Sequence, residues 1–156
     1  MRIDQLMSRE VHYCSPNETL DSAATLMWQH DCGCVPVCSG SGNGTPVVIG
    51  MLADRDICMC ALLQGKPLRE LRVADAMSRE VYTCKPKDRP AAVERMMSRH
   101  QVRRVPVTDR EGRLVGIVSL ADFARDAGQT AESSPIEIGS TLAAICEPAR
   151  SRPAVA

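Results

Sequence analysis

The chain has 156 residues, 44% hydrophobic but only 3% aromatic, enough for one compact domain or two small ones with an aliphatic core. Its 19 basic and 19 acidic residues cancel, which argues against the basic surface of a general nucleic-acid binder. No apolar run approaches the ~20 residues needed to span a bilayer, and the first ten residues, MRIDQLMSRE, lack the apolar stretch of a secretory signal; a cytoplasmic protein without a membrane partner is expected.

In chain order, a short helical lead-in (IDQLMS) precedes an expected strand, Val11–Cys14, stopped by Pro16. Leu20, Ala23, Ala24 and Met27 then fall at i, i+3, i+4 and i+7, one apolar face of a helix. A β-branched strand around Val35-Pro36-Val37 follows, then the turn SGSGNGTP and the near-continuous apolar run Val47–Leu52 of a buried strand. A helix from about Asp54 to Leu63 ends at Gly65. The short charged stretch 66–72 leads into a second pass through the same order. The lead-in VADAMS comes first, then an expected strand, Val81–Cys84, ending before Pro86. A helix follows with Pro90 in its first turn and Val93, Met96 and Met97 on its apolar face, then Val105-Pro106-Val107. The run Leu114–Val118 comes next, and a helix from Leu120 to Ala127 that ends at Gly128.

The second pass is a duplication. Residues 3–38 and 73–108 align at an offset of 70 with twelve identities, including MSREV twice and a shared Val-Pro-Val. The length difference sits in the turn, eight residues (39–46) against four (109–112), where loops tolerate it. The expected architecture is α+β: tandem β-α-β-β-α repeats packed sheet to sheet with pseudo-two-fold symmetry. One unit of this size can hardly bury its own sheet, whereas two can. Repeat 1 is placed at 3–65, a linker at 66–72, repeat 2 at 73–128 and a tail at 129–156. The tail carries a short helix over 141–147 and disordered final residues.

A Ser-Leu-Ala-Asp stretch, Ser119 to Asp122, follows a buried strand and opens a helix. Free N–H groups and the helix dipole favour phosphate there. The same spacing also suits a capping box, in which Ser119 caps the helix and Asp122 reaches back. Arg103 and Arg104 immediately precede the second Val-Pro-Val, and guanidinium suits phosphate. Copy one has Ala53 for Ser119 and Gly33 and Cys34 for the two arginines. It keeps Asp56, with Arg55 beside it.

The doubled unit, the Val-Pro-Val strand and the segments GMLADRDI, HQVRRVPV and LVGIVSLADFAR resemble a pair of cystathionine-β-synthase (CBS) domains, the Bateman module, of the stand-alone bacterial hypoxic-response type. The resemblance implies a non-enzymatic regulatory or signalling module. Such a module needs no cofactor, often pairs as a flat homodimer and acts on a protein target that the sequence does not name. Its ligand would be AMP, ADP, ATP or S-adenosylmethionine, held between the repeats. The matching positions imply that Ser119 reaches phosphate or ribose oxygens, Asp122 the ribose hydroxyls, and Arg104 and Arg103 the phosphates. Val81, Tyr82, Val105 and Pro106 would stand where the base stacks, and Asp56 and Arg55 would mark a weaker site in copy one.

The eight cysteines contain no CxxC pair. The resemblance makes Cys14 and Cys38 the first choice for a disulfide; read from the residues alone, they serve equally as two buried thiols. Cys32, Cys34 and Cys38 with His12 or His30 do not have the spacing of a zinc ribbon or finger, and no metal is expected. No GxSxG, GxxxxGK[ST] or HExxH occurs. The alternative functions are a thiol-based redox or stress-response protein that binds no nucleotide, and an interaction scaffold.

Overall fold

A computed structural model describes residues 1–40, 44–127 and 134–148. Helices α1 (Ile3–Leu6) and α2 (Leu20–Gln29) precede a hairpin of β1 (Cys34–Ser39) and β2 (Val47–Ala53), followed by α3 (Asp54–Gln64). A 3-10 turn at Leu68–Glu70 leads to α4 (Val73–Ala76) and α5 (Pro90–His100). The hairpin of β3 (Arg104–Thr108) and β4 (Leu114–Ser119) follows, then α6 (Leu120–Ala127) and α7 (Pro135–Cys146). The architecture is a tandem pair of α+β units carrying two small antiparallel sheets, β1-β2 and β3-β4. Each hairpin has a bulge at the same place, after Val37 and after Val107.

The expected strands Val11–Cys14 and Val81–Cys84 shrink to single parallel bridges, Cys14 to Val37 and Cys84 to Val107. The prolines explain this. Cys14 N–H donates to Pro36 O and Cys38 N–H to Cys14 O. One step earlier the donor would be Pro36, and one step later Pro16, and neither has an N–H. Pro106 and Pro86 end the second ladder in the same way around Cys84.

The helices follow the apolar spacing. Leu20, Ala23 and Met27 of α2 are buried, as are Val93 and Met97 of α5. Gly65 closes α3 at φ 61°, the left-handed conformation that glycine adopts without a steric penalty; Gly128 lies outside the described residues. The tail helix begins at Pro135, six residues before the expected 141. Ser134 Oγ accepts from Ile136 N–H, the Glu137 carboxylate accepts from Ser134 N–H, and Pro135 fills the first turn. This is a capping box with an N-terminal proline, written in the sequence as Ser-Pro-x-Glu. The expected disorder of the final residues concerns 149–156, outside the described residues.

The lead-in helices cross over. Ile3 and Met7 belong to the core of the second repeat, with Cys84, Val93, Met97 and Phe123. Val73 and Met77 belong to that of the first, with Cys14, Leu20, Val35 and Leu52. Ser8 forms an antiparallel bridge to Ile117 of β4, and Ser78 one to Met51 of β2. Glycines permit the approach. A Cβ on Gly50 would lie 2.9 Å from Ser78 O, and one on Gly116 2.5 Å from Met7 Sδ and 3.1 Å from Ser8 O. The hairpins meet at equivalent positions, Val47 bridging Arg113 and Arg104 Nη1 donating to Cys34 Sγ at 3.8 Å. A contact between equivalents falls on the pseudo-two-fold axis. Among the described residues no helix is long and apolar enough to cross a membrane.

Candidate functional site

The turn from β4 into α6 builds the centre of the site. Asp122 Oδ2 accepts from Ser119 N–H at 2.7 Å and from Ser119 Oγ at 2.7 Å, while its Oδ1 receives Arg125. The capping geometry therefore exists, and it holds the carboxylate at the mouth of a cleft of about 590 Å³. Oδ1 keeps a lone pair for a further donor. Arg104, at the start of β3, reaches the same cleft and has no carboxylate partner among the described residues.

The opposite wall comes from the first repeat. Because the lead-in crosses to β4 at Ser8, the segment that follows brings Glu10, Val11 and His12 over the Ser119 turn, and Val35 and Pro36 of β1 complete that wall. Val81, Tyr82, Val105 and Pro106 are not in this cleft. Val105 is buried in the second core, and Pro106 is buried as well. Val81 and Tyr82 follow the equivalent crossover at Ser78, and Tyr82 stacks on His100 with ring centroids 3.7 Å apart. Arg103 faces a neighbouring cavity with Leu120, Ile138 and Leu142 against α7. Arg55 is exposed, and Asp56 is tied to Ala53 N–H at 3.0 Å; neither lines the Ser119 cleft. Ser119, Asp122 and Arg104 are thus brought together, and the other expected residues are not.

The cleft-lining residues that sequence reasoning did not assign to a ligand site include Glu10, Val11, Asp31, Val35, Pro36 and Arg125, and also His12 and His30, which it weighed only for a metal. For Arg125 a signal was present, since a cation three residues after Asp122 on a helix faces it. For the others, the repeat offset alone cannot say which copy supplies the wall. His12 and His30 stack with centroids 3.4 Å apart and planes at 17°.

Cys32 and Cys34 line the cleft. Burial pushes both thiols above the ordinary value, against the pull of Arg104. Cys14 and Cys38 are buried and free, not joined, although Cys38 N–H donates to Cys14 O at 2.9 Å. Burial is the main cause that pushes Cys14 up to about 12, Cys38 to about 11 and Cys84 to about 12. Among the described residues no three His, Cys, Asp or Glu side chains are placed to hold a metal.

These thiols give a pH prediction. A folded-state pKa above the unfolded value adds stability below about pH 9 that is lost as pH rises through the folded value. The thermal midpoint is therefore expected to decline from pH 9 towards 11. At pH 8, aromatic-disulfide titration should count exposed Cys58 and Cys146 at once, and Cys14, Cys38 and Cys84 only after denaturation. Immediate reaction of the buried three would contradict the packing.

Residues 3–62 and 73–127 each match the CBS domain family. The chain is 37% identical over 122 residues to the CBS domain-containing protein YhcV of Bacillus subtilis, covering 78% of this chain and 82% of that one. It is 36% identical to Hypoxic response protein 1 of Mycobacterium tuberculosis, covering 92% of each. Among solved structures it is similar to the CBS domain pair of MJ0100 in complex with 5-methylthioadenosine and S-adenosyl-L-methionine. That match has a TM-score of 0.69 and 26% identity, over 80% of this chain and 98% of that one. It is also similar to Hypoxic Response Protein I with two coordinated zinc ions, with a TM-score of 0.70 and 34% identity, over 80% and 98%. The crossed lead-ins, the paired hairpins and both sequence matches assign this chain to the CBS-domain family, of which it carries two copies in tandem.

Proposed function

We propose that the protein is a non-catalytic regulatory module that senses a phosphorylated adenosine, AMP, ADP or ATP, in the Ser119–Asp122 cleft. The observation that carries this reading is the pairing, in one cleft, of a helix start bearing a carboxylate with an uncompensated guanidinium, Arg104. Asp122 suits a ribose diol, because its oxygens accept and cannot donate. The positive end of the α6 dipole and Arg104 suit phosphate. Similarity to a CBS pair solved with two adenosyl ligands supports an adenosine-bearing ligand. Arg104 and Arg125 favour a phosphate over a sulfonium cation, which like charge disfavours. Ligand would act by favouring one relative arrangement of the two repeats, in a homodimer that passes the change to a protein target.

Calorimetry tests the ligand. AMP or ATP is expected to bind at one site per chain, and S-adenosylmethionine at least about ten-fold more weakly, a difference of about 1.4 kcal/mol. Tighter binding of S-adenosylmethionine, or no binding of any adenosine phosphate, would reject the assignment.

A further inference from the structure

His12 and His30 are the only aromatic rings lining the Ser119–Asp122 cleft, and they already lie parallel, 3.4 Å apart. The equivalent stack of the second copy is Tyr82 on His100, so the frame builds a ring pair twice. Only in the first copy do both rings belong to the residue type that titrates near neutral pH. We propose that the stacked His12–His30 pair holds the base of a phosphorylated adenosine in this cleft and couples its binding to the uptake of one proton. The inference rests on the reading of the cleft as a nucleotide site.

Two physical arguments carry it. A base gains about 1–3 kcal/mol by stacking on an aromatic ring, and the other described residues lining the cleft carry no aromatic ring. His30 backs His12, so the platform is arranged before the ligand arrives.

The second argument is charge. The groups around the pair are Glu10 on its own extended segment, Asp31 after α2, Arg104 on β3, and Asp122 and Arg125 on α6, with the thiols Cys32 and Cys34 beside them. Asp122 and Arg125 pair with each other, which leaves Glu10 and Asp31 against Arg104. A phosphate entering this cleft adds negative charge and so favours an imidazolium. A second proton 3.4 Å from the first is opposed by repulsion between like charges. The complex therefore holds up to one more proton than the free protein. Its affinity rises as pH falls through the imidazole range, by at most about ten-fold per pH unit.

The test is calorimetry with AMP and with ATP at pH 8 and pH 6, in buffers of different ionisation enthalpy, on the full chain. Wild type is expected to take up a proton on binding and to bind more tightly at pH 6. His12→Ala should weaken binding by about ten-fold at both pH values, the loss of one stacking contact. The double variant His12→Phe/His30→Phe keeps two stacked rings and cannot take the proton. It should hold the pH 8 affinity within about three-fold, a small difference on the stacking scale, and lose the tightening that wild type gains relative to it between pH 8 and pH 6; protonation of the ligand's own phosphate is common to both proteins and cancels in that comparison. An unchanged affinity in His12→Ala would overturn the base-holding role. Undiminished tightening and proton uptake in the double variant would overturn the coupling. Both results leave the nucleotide reading standing, whereas failure of wild type to bind AMP or ATP at either pH removes that reading and this inference together.

Discussion

Asp122→Ala is expected to abolish binding of adenosine phosphates while the chain still unfolds in one cooperative transition. In the proposed site the carboxylate takes both hydroxyls of a ribose, and each hydrogen bond to a charged acceptor is worth about 1.5–3 kcal/mol. Losing two of them lowers affinity by roughly 100-fold or more. The cost to the fold is smaller. Ser119 N–H loses its acceptor, the equivalent of a missing helix cap at about 1 kcal/mol, and the exposed Arg125 loses a partner. In a chain of this size the thermal midpoint should fall by only about 2–4 °C. Calorimetry beside a thermal melt separates the two effects. If the variant bound every nucleotide as tightly as the parent, Asp122 would have no part in the site.

Phe123→Ala, one residue along, should do the reverse and act first on the fold. Phe123 is the single phenylalanine of the chain and is 0% exposed. Its ring lies in the core that joins Ile3 of α1, Val93 and Met97 of α5, and Ile138 and Ile145 of α7. Truncating such a ring costs about 3–5 kcal/mol, because the surrounding side chains belong to three different helices and close the cavity only in part. Against a total stability of about 5–15 kcal/mol, that is a large share. The midpoint should drop by roughly 10 °C or more, and differential scanning calorimetry reads it directly. A drop of less than about 2 °C, what well under 1 kcal/mol would give, would mean that α6 is not held by this core. Asp122 points into the cleft and Phe123 away from it, so neighbouring substitutions separate function from stability.

Much of the fold was legible because it is local and written twice. The spacing of Leu20, Ala23 and Met27, the Val-Pro-Val strands, and Gly65 after α3 act over one or two turns of chain. A register of twelve identities made each copy a check on the other. The shortened first strands were readable in principle, since the prolines that cut the ladder are in the sequence. They were missed because a ladder depends on a partner strand some twenty residues away. The early start of α7 had its own local signature in Ser134, Pro135 and Glu137.

By itself, then, the sequence determined the duplication, the α+β order of each half and the turn that presents Ser119 and Asp122, all features decided by neighbouring residues and by a pattern that repeats. Only the tertiary structure decided which half faces that turn. The two lead-ins carry the same MSREV, and an apolar residue at position 7 or 77 suits either core equally well, so no local preference tells staying from crossing. The crossing is set by backbone passing over Gly50 and Gly116, and by the burial of Ile3 and Val73 in the opposite halves. That exchange puts His12 and Val35, not Tyr82 and Val105, across from Asp122. Contacts between positions about 110 residues apart leave no trace in the spacing of either segment.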